Sequence, residues 1–83
     1  MSKTLFERVN EVYNEETFVQ FIQALGHDST VDMNSWENTT ITSFLEAAAE
    51  WGAASVDGLH AYDKPDNPWR RCAQILYMGK MYE

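Results

Sequence analysis

Residues 14–26 read Asn14-Glu15-Glu16-Thr17-Phe18-Val19-Gln20-Phe21-Ile22-Gln23-Ala24-Leu25-Gly26. Asn14 suits an N-cap, because its side-chain oxygen accepts from a first-turn amide that has no partner within the helix. Glu15 and Glu16 follow, where the helix dipole favours negative charge. Phe18, Phe21, Ile22 and Leu25 then recur at i, i+3, i+4 and i+7, one apolar stripe of an amphipathic helix. Gly26 reads as the left-handed stop, with His27 placed to answer the last carbonyls.

A helix with one apolar stripe must bury it, and the flanking sequence supplies the helices to do so. Upstream, Thr4-x-x-Glu7 is a capping box, and Leu5, Val9 and Val12 carry helical spacing, which predicts a short first helix. Residues 27–37 are polar and without a period; they predict a loop from which Val31, Met33 and Trp36 fold back on the core. Thr39 or Thr40 then caps a third helix with the apolar face Ile41, Phe44, Leu45, Ala48 and Trp51. Asp57-Gly58 marks a turn, and residues 57–67 predict a second long loop. Asn67-Pro68 starts a last helix, since proline's fixed φ suits the first helical position. That helix is apolar on two sides: Trp69, Cys72, Ala73 and Leu76 on one, Ile75, Met78 and Tyr82 on the other. Such a helix either sits at the centre of its bundle or offers one face to a partner. The expected fold is an all-α bundle of about four short helices, with long loops before the third and fourth. It forms one domain over residues 1–83.

The 83 residues leave room for one core, and 45% apolar or aromatic content excludes compositional disorder. Cys72 is the sole cysteine, so it has no disulfide partner in the chain; the reading is a small buried hydrophobe. No apolar run approaches the ~20 residues of a membrane span, and no signal-peptide stretch opens the chain. A cytoplasmic protein is the expectation.

Charge is distributed unevenly. Residues 9–63 contain no lysine or arginine and ten carboxylates, within a chain of net charge −7. This argues against direct binding to nucleic acid, whose phosphates reward Lys and Arg. It favours a cationic partner. Glu7 and Glu11, and again Glu46 and Glu50, stand at i, i+4, where like charges oppose helix formation by ~0.2–0.5 kcal/mol per pair. Arg8 offsets the first pair, but no basic neighbour in sequence relieves the second. The simplest account of such glutamates is an ordinary solvated face; the functional one is a patch that a cationic target compensates. A duplex presents one charge per ~1.7 Å. Imitating DNA over the ~30 Å that a radius of gyration of ~12 Å implies would therefore take on the order of 18 charges. Ten suit a local basic cleft better.

Catalytic signals are weak. No nucleophile elbow, Gly-rich phosphate loop or metalloprotease helix is present, and no cofactor is expected. Asp57, His60 and Asp63 recur every three residues, but their spacing is non-specific for a metal.

The segments Trp36-Glu37-Asn38, Phe44-Leu45-Glu46-Ala47-Ala48, Trp51, Pro68-Trp69 and Leu76-Tyr77-Met78-Gly79-Lys80-Met81-Tyr82-Glu83 together resemble a small bacterial family, domain-of-unknown-function family 7660. The resemblance covers roughly residues 14–83. It implies no activity. The shared residues suit a fold-defining set: Trp36 as a buried anchor, Asn38 or the threonines after it as caps, and Lys80, Tyr82 and Glu83 in polar contact with Glu37. Trp51 and Trp69 belong to the same set.

The expectation for function is a small acidic protein-binding module. Its concrete form is an inhibitor or immunity-type protein, bacterial or phage, masking a basic surface on a toxin, nuclease or nucleic-acid-binding complex. Glu7, Glu11, Glu46 and Glu50 would supply charge, and Tyr62 or Tyr82 an aromatic anchor. The alternative is a structural or homodimeric adaptor pairing through Ile75, Met78 and Tyr82. A metal protein or enzyme using Asp57, His60 and Asp63 is the remote third reading.

Overall fold

The computed structural model describes residues 3–82, which form an all-α bundle. Its helices are α1 (Leu5–Asn10), α2 (Glu15–Val31), α3 (Ile41–Ala54) and α4 (Pro68–Met81), with a 3₁₀ turn at Met33–Ser35. Each helix starts at a side-chain cap: Thr4, Asn14, Thr40 and Asn67. Thr4 and Glu7 close the expected capping box, and the Thr4 amide and hydroxyl hold the Glu7 carboxyl below its ordinary range. Among the described residues no helix is long and apolar enough to cross a membrane.

α4 is the centre of the bundle and packs against each of the other three helices. Ala73, with no exposed surface, lies in the core with Val9, Val12, Phe21 and Leu25. Phe18 adds an aromatic contact to Trp69, at 5.6 Å between rings. The start of α4 also fastens the α1–α2 connection: Asn67 Nδ2 donates to the Tyr13 carbonyl at 2.9 Å, and Arg70 Nε to the Val12 carbonyl at 3.0 Å.

Three sequence expectations need correction. α2 does not stop at Gly26 but continues to Val31, and Gly26 keeps a helical φ. The Ser29 and Thr30 hydroxyls donate to the Gly26 and His27 carbonyls, and Asp28 is tied to α4. These anchors outweigh the ~1 kcal/mol helix penalty of glycine. Consequently His27 lies inside the helix rather than at its end. Second, the buried side of α3 is rotated from the predicted face. Ala47, Ala48, Trp51 and Gly52 are buried, whereas Ile41 and Leu45 are 80% and 55% exposed. Ile22 and Val31 on α2, and Met33 after it, are exposed too. The cause is topological: α2 and α3 both pack on α4 and not on each other. Third, Cys72 is exposed, not buried. The loop after α3 turns at Gly58, whose φ of 83° is the left-handed conformation that favours glycine.

Candidate partner-binding surface

The Trp36-Glu37-Asn38 segment is a clasp on the C-terminus of α4. A helix end leaves carbonyls without partners, and this segment answers three of them. The Glu37 amide donates to the Lys80 carbonyl at 3.0 Å. Asn38 Nδ2 donates to the carbonyls of Gly79 at 3.0 Å and Tyr82 at 2.6 Å. Trp36 works one layer deeper: its Nε1 donates to Asp28 Oδ2 at 2.8 Å, and Lys80 Nζ donates to the same oxygen at 2.8 Å. Lys80 Nζ also stands 5.7 Å from the Trp36 ring centre. Burial pushes the Asp28 carboxyl up, but the hydrogen bonds from Lys80 and Trp36, with the Lys80 charge, outweigh it and hold the group below its ordinary range. Asn38 therefore does cap a helix, the end of α4 rather than the start of α3, which Thr40 caps. Glu83 lies outside the described residues.

Phe44 completes the clasp. Its ring stacks on Trp36 at 5.8 Å and lies over Gly79, where a Cβ would stand 2.8 Å from ring carbon Cε2. No side chain larger than hydrogen fits there unless the ring moves.

A second polar cluster fixes α3 to α4 at the other end. Arg71 donates to Ser55 Oγ at 2.9 Å and to the Gly52 carbonyl at 2.9 Å. Its guanidinium lies over Trp51 at 5.2 Å and Tyr62 at 5.9 Å. Tyr62 is half-buried, packs edge-on against Trp51 and donates to Gln74 Oε1. It is thus engaged in the fold rather than free as an exposed anchor. Tyr82 is half-buried and caps α4. Ile75 and Met78 are half-buried as well, and Ile75 lies against Gly52 of α3, so the supposed pairing face is largely occupied within the bundle.

The predicted acidic residues divide into two sets. Glu7 is committed to the α1 cap and Glu11 to an ion pair with Lys3. Glu46 and Glu50 are exposed on α3, and among the described residues neither has a basic group within 4 Å. Arg70, Arg71 and Lys80 are turned inward, whereas Lys3, Arg8 and Lys64 are exposed. Lys64 donates to the Val56 carbonyl, Arg70 and Arg71 also serve carbonyls, and Lys80 meets Asp28. Cations at these carbonyls just beyond α1 and at the end of α3 suit the negative ends of the helix dipoles. The inward turn of Arg70 and Arg71 was missed in the sequence, where nothing distinguishes them from surface charges. Asp57, His60 and Asp63 are exposed, and among the described residues no three His, Cys, Asp or Glu gather as a metal site.

Sequence reasoning also missed a groove. Ile22 and Gly26 of α2, Met33 and Trp36 of the connection, and Ile41 and Leu45 of α3 line an open cleft of about 440 Å³. Its only sequence signal was an apolar stripe wider than one neighbouring helix can cover.

These features define a small all-helical domain whose W-E-N segment is locked onto the end of its central helix. The pattern of DUF7660, a family of unknown function, matches residues 14–83, and the chain belongs to that family. No curated protein and no solved structure matches it.

Proposed function

We propose that this domain is a protein-binding module that presents an acidic surface to a cationic face of another protein. The concrete form is a bacterial or phage inhibitor or immunity-type protein. It would act in the cytoplasm by masking a basic surface on a toxin, nuclease or nucleic-acid-binding complex. The observation that carries this reading is the pair Glu46 and Glu50, exposed one turn apart on α3 without a basic neighbour among the described residues. Like charges at that spacing oppose helix formation, so a compensating partner gives them a use that the fold does not. The molecule measures 33 × 26 × 20 Å, several times the ~8 Å Debye length in physiological salt. A local acidic patch therefore acts on its own in steering a partner.

The test compares the wild type with Glu46→Lys plus Glu50→Lys as bait in a host-cell lysate, at low and at physiological salt. Capture that falls with salt and is lost on charge reversal, with the helical circular dichroism unchanged, is the expected result. An identical captured set for both baits would remove the acidic patch from the mechanism.

A further inference from the structure

The groove between α2 and α3 stays open because both helices pack on α4 and not on each other. Among the described residues no charged side chain lines it, so the net charge of −7 is carried elsewhere. Its walls are apolar apart from the short side chains of Ser29, Asn38, Thr39 and Thr40. Ile22, Met33, Ile41 and Leu45 are each between 40% and 80% exposed there. Apolar surface gathered in this way marks an interaction site more often than scattered exposed residues do. The same face also holds a ridge and a gap. Ile41 projects from the first position of α3. Across the groove, Gly26 lies inside α2 with a helical φ, and a Cβ there would meet nothing within 4 Å. Neither the backbone nor the packing of the isolated domain calls for glycine at this place, but glycine leaves room for a side chain arriving from outside.

We infer that the occupant is a second copy of this chain, and that the two form a two-fold dimer in which each Ile41 seats against Gly26 of the other. A two-fold axis makes both contacts at once, the isologous pairing that closes a dimer. Charge permits it, because two copies meeting at the groove bury no charged lining residue. Area permits it as well. A specific interface covers roughly a tenth of a small protein's surface on each side, so a surface of 5620 Å² calls for on the order of 560 Å² per copy. The groove's four exposed apolar residues and its rim threonines supply on the order of 500 Å². Two such faces together reach about 1,000 Å², the lower limit of a specific interface, which sets the expected dissociation constant at about 10–100 μM. By helical phase Glu46 and Glu50 stand on another side of α3. The dimer therefore leaves them in water, and it goes beyond the acidic-surface reading without depending on it.

Sedimentation equilibrium of the full chain from about 5 μM to about 1 mM tests this. A reversible monomer–dimer equilibrium is expected. It should tighten as salt rises, because screening weakens the repulsion between two acidic copies; capture of a cationic partner by the acidic surface responds to salt in the opposite direction. Ile41→Ala and Gly26→Leu should each weaken the dimer at least about tenfold. Both positions are exposed, so the melting temperature of the dilute monomer by circular dichroism holds in each, or rises in Gly26→Leu through better helix propensity. Combining the two moves the bulk to the other side of the contact, and the double variant should recover most of the lost affinity. Glu46→Lys plus Glu50→Lys should leave a dimer at least as strong as that of the wild type. A chain still monomeric at about 1 mM overturns the inference, as does a dimer indifferent to both single variants. Losses that simply add in the double variant overturn it too, and so does growth beyond the dimer, which excludes a closed two-fold. A dimer lost in Glu46→Lys plus Glu50→Lys moves the contact out of the groove and overturns the inference as well. None of these outcomes alters the lysate capture that tests the acidic surface, so the two readings fail separately.

Discussion

Asp28 and Gly79 hold the two tightest demands on side-chain identity, for opposite reasons. Asp28 accepts from both Lys80 and Trp36, and its carboxyl is held below the ordinary value near 3.8. A carboxylate with a depressed folded pKa stabilises the fold above its unfolded pKa, and that stabilisation is lost as pH falls through the folded value. Asp28→Asn keeps the shape but turns two charge-assisted hydrogen bonds into weaker ones, a loss of about 1–2 kcal/mol at neutral pH. In urea titrations the variant should be less stable than wild type near neutrality, and the two should converge at acid pH, once the folded Asp28 carboxyl is protonated. An equal gap at both pH values would mean that the charge is irrelevant. At Gly79 the constraint is space, since Phe44 occupies the volume of a Cβ. Alanine would gain about 1 kcal/mol of helix propensity but displace a ring already stacked on Trp36. Overpacking of this kind costs about 1–3 kcal/mol, so Gly79→Ala is expected to lower stability by about 1 kcal/mol net. A rise in the urea midpoint would show that the ring moves freely.

The end of α4 depends on a segment about forty residues away in sequence. Asn38→Ala would free the carbonyls of Gly79 and Tyr82, at about 1–2 kcal/mol. Hydrogen exchange should then speed up in the last turn of α4 while the first turn of α3, capped by Thr40, stays protected. Loss of protection in α3 instead would return Asn38 to the role of its N-cap. This contrast explains what the sequence made legible. The caps at Thr4, Asn14, Thr40 and Asn67 are local, and they were readable from the residue types beside each apolar run. The central place of α4 was one of the two readings its two apolar sides allowed, and its packing on all three other helices decides between them. The extension of α2 past Gly26 was not readable, because it rests on Asp28 meeting Lys80 and Trp36 across the bundle. Nor was the exposure of Ile41 and Leu45, since a stripe shows which residues are apolar and not whether a neighbour reaches them. Of the candidate site, Glu46 and Glu50 were legible as charges without basic neighbours; the groove lined by Ile41 and Leu45 was not.

Across the whole molecule, charge works against the fold. Arg70, Arg71 and Lys64 are turned to backbone carbonyls, and Lys80 to Asp28. The exposed carboxylates of α2 and α3 are therefore left facing solvent, gathered within a globule of 12.3 Å radius of gyration. At about 0.01 M salt the Debye length is ~30 Å, as long as the molecule; at 0.15 M it is ~8 Å. Raising salt across that range should screen the repulsion and raise the melting temperature by several degrees, as expected for about 1 kcal/mol in a domain of this size. Glu46→Lys plus Glu50→Lys should raise the low-salt melting temperature and flatten its salt dependence, because it removes the least compensated pair. Calorimetry of both proteins at the two ionic strengths checks this. A double variant no more stable than wild type at low salt would mean that the pair carries no strain, and the reason for assigning it to a partner would go with it. If the stability gain appears together with loss of partner capture, the two glutamates oppose the isolated fold and serve the complex.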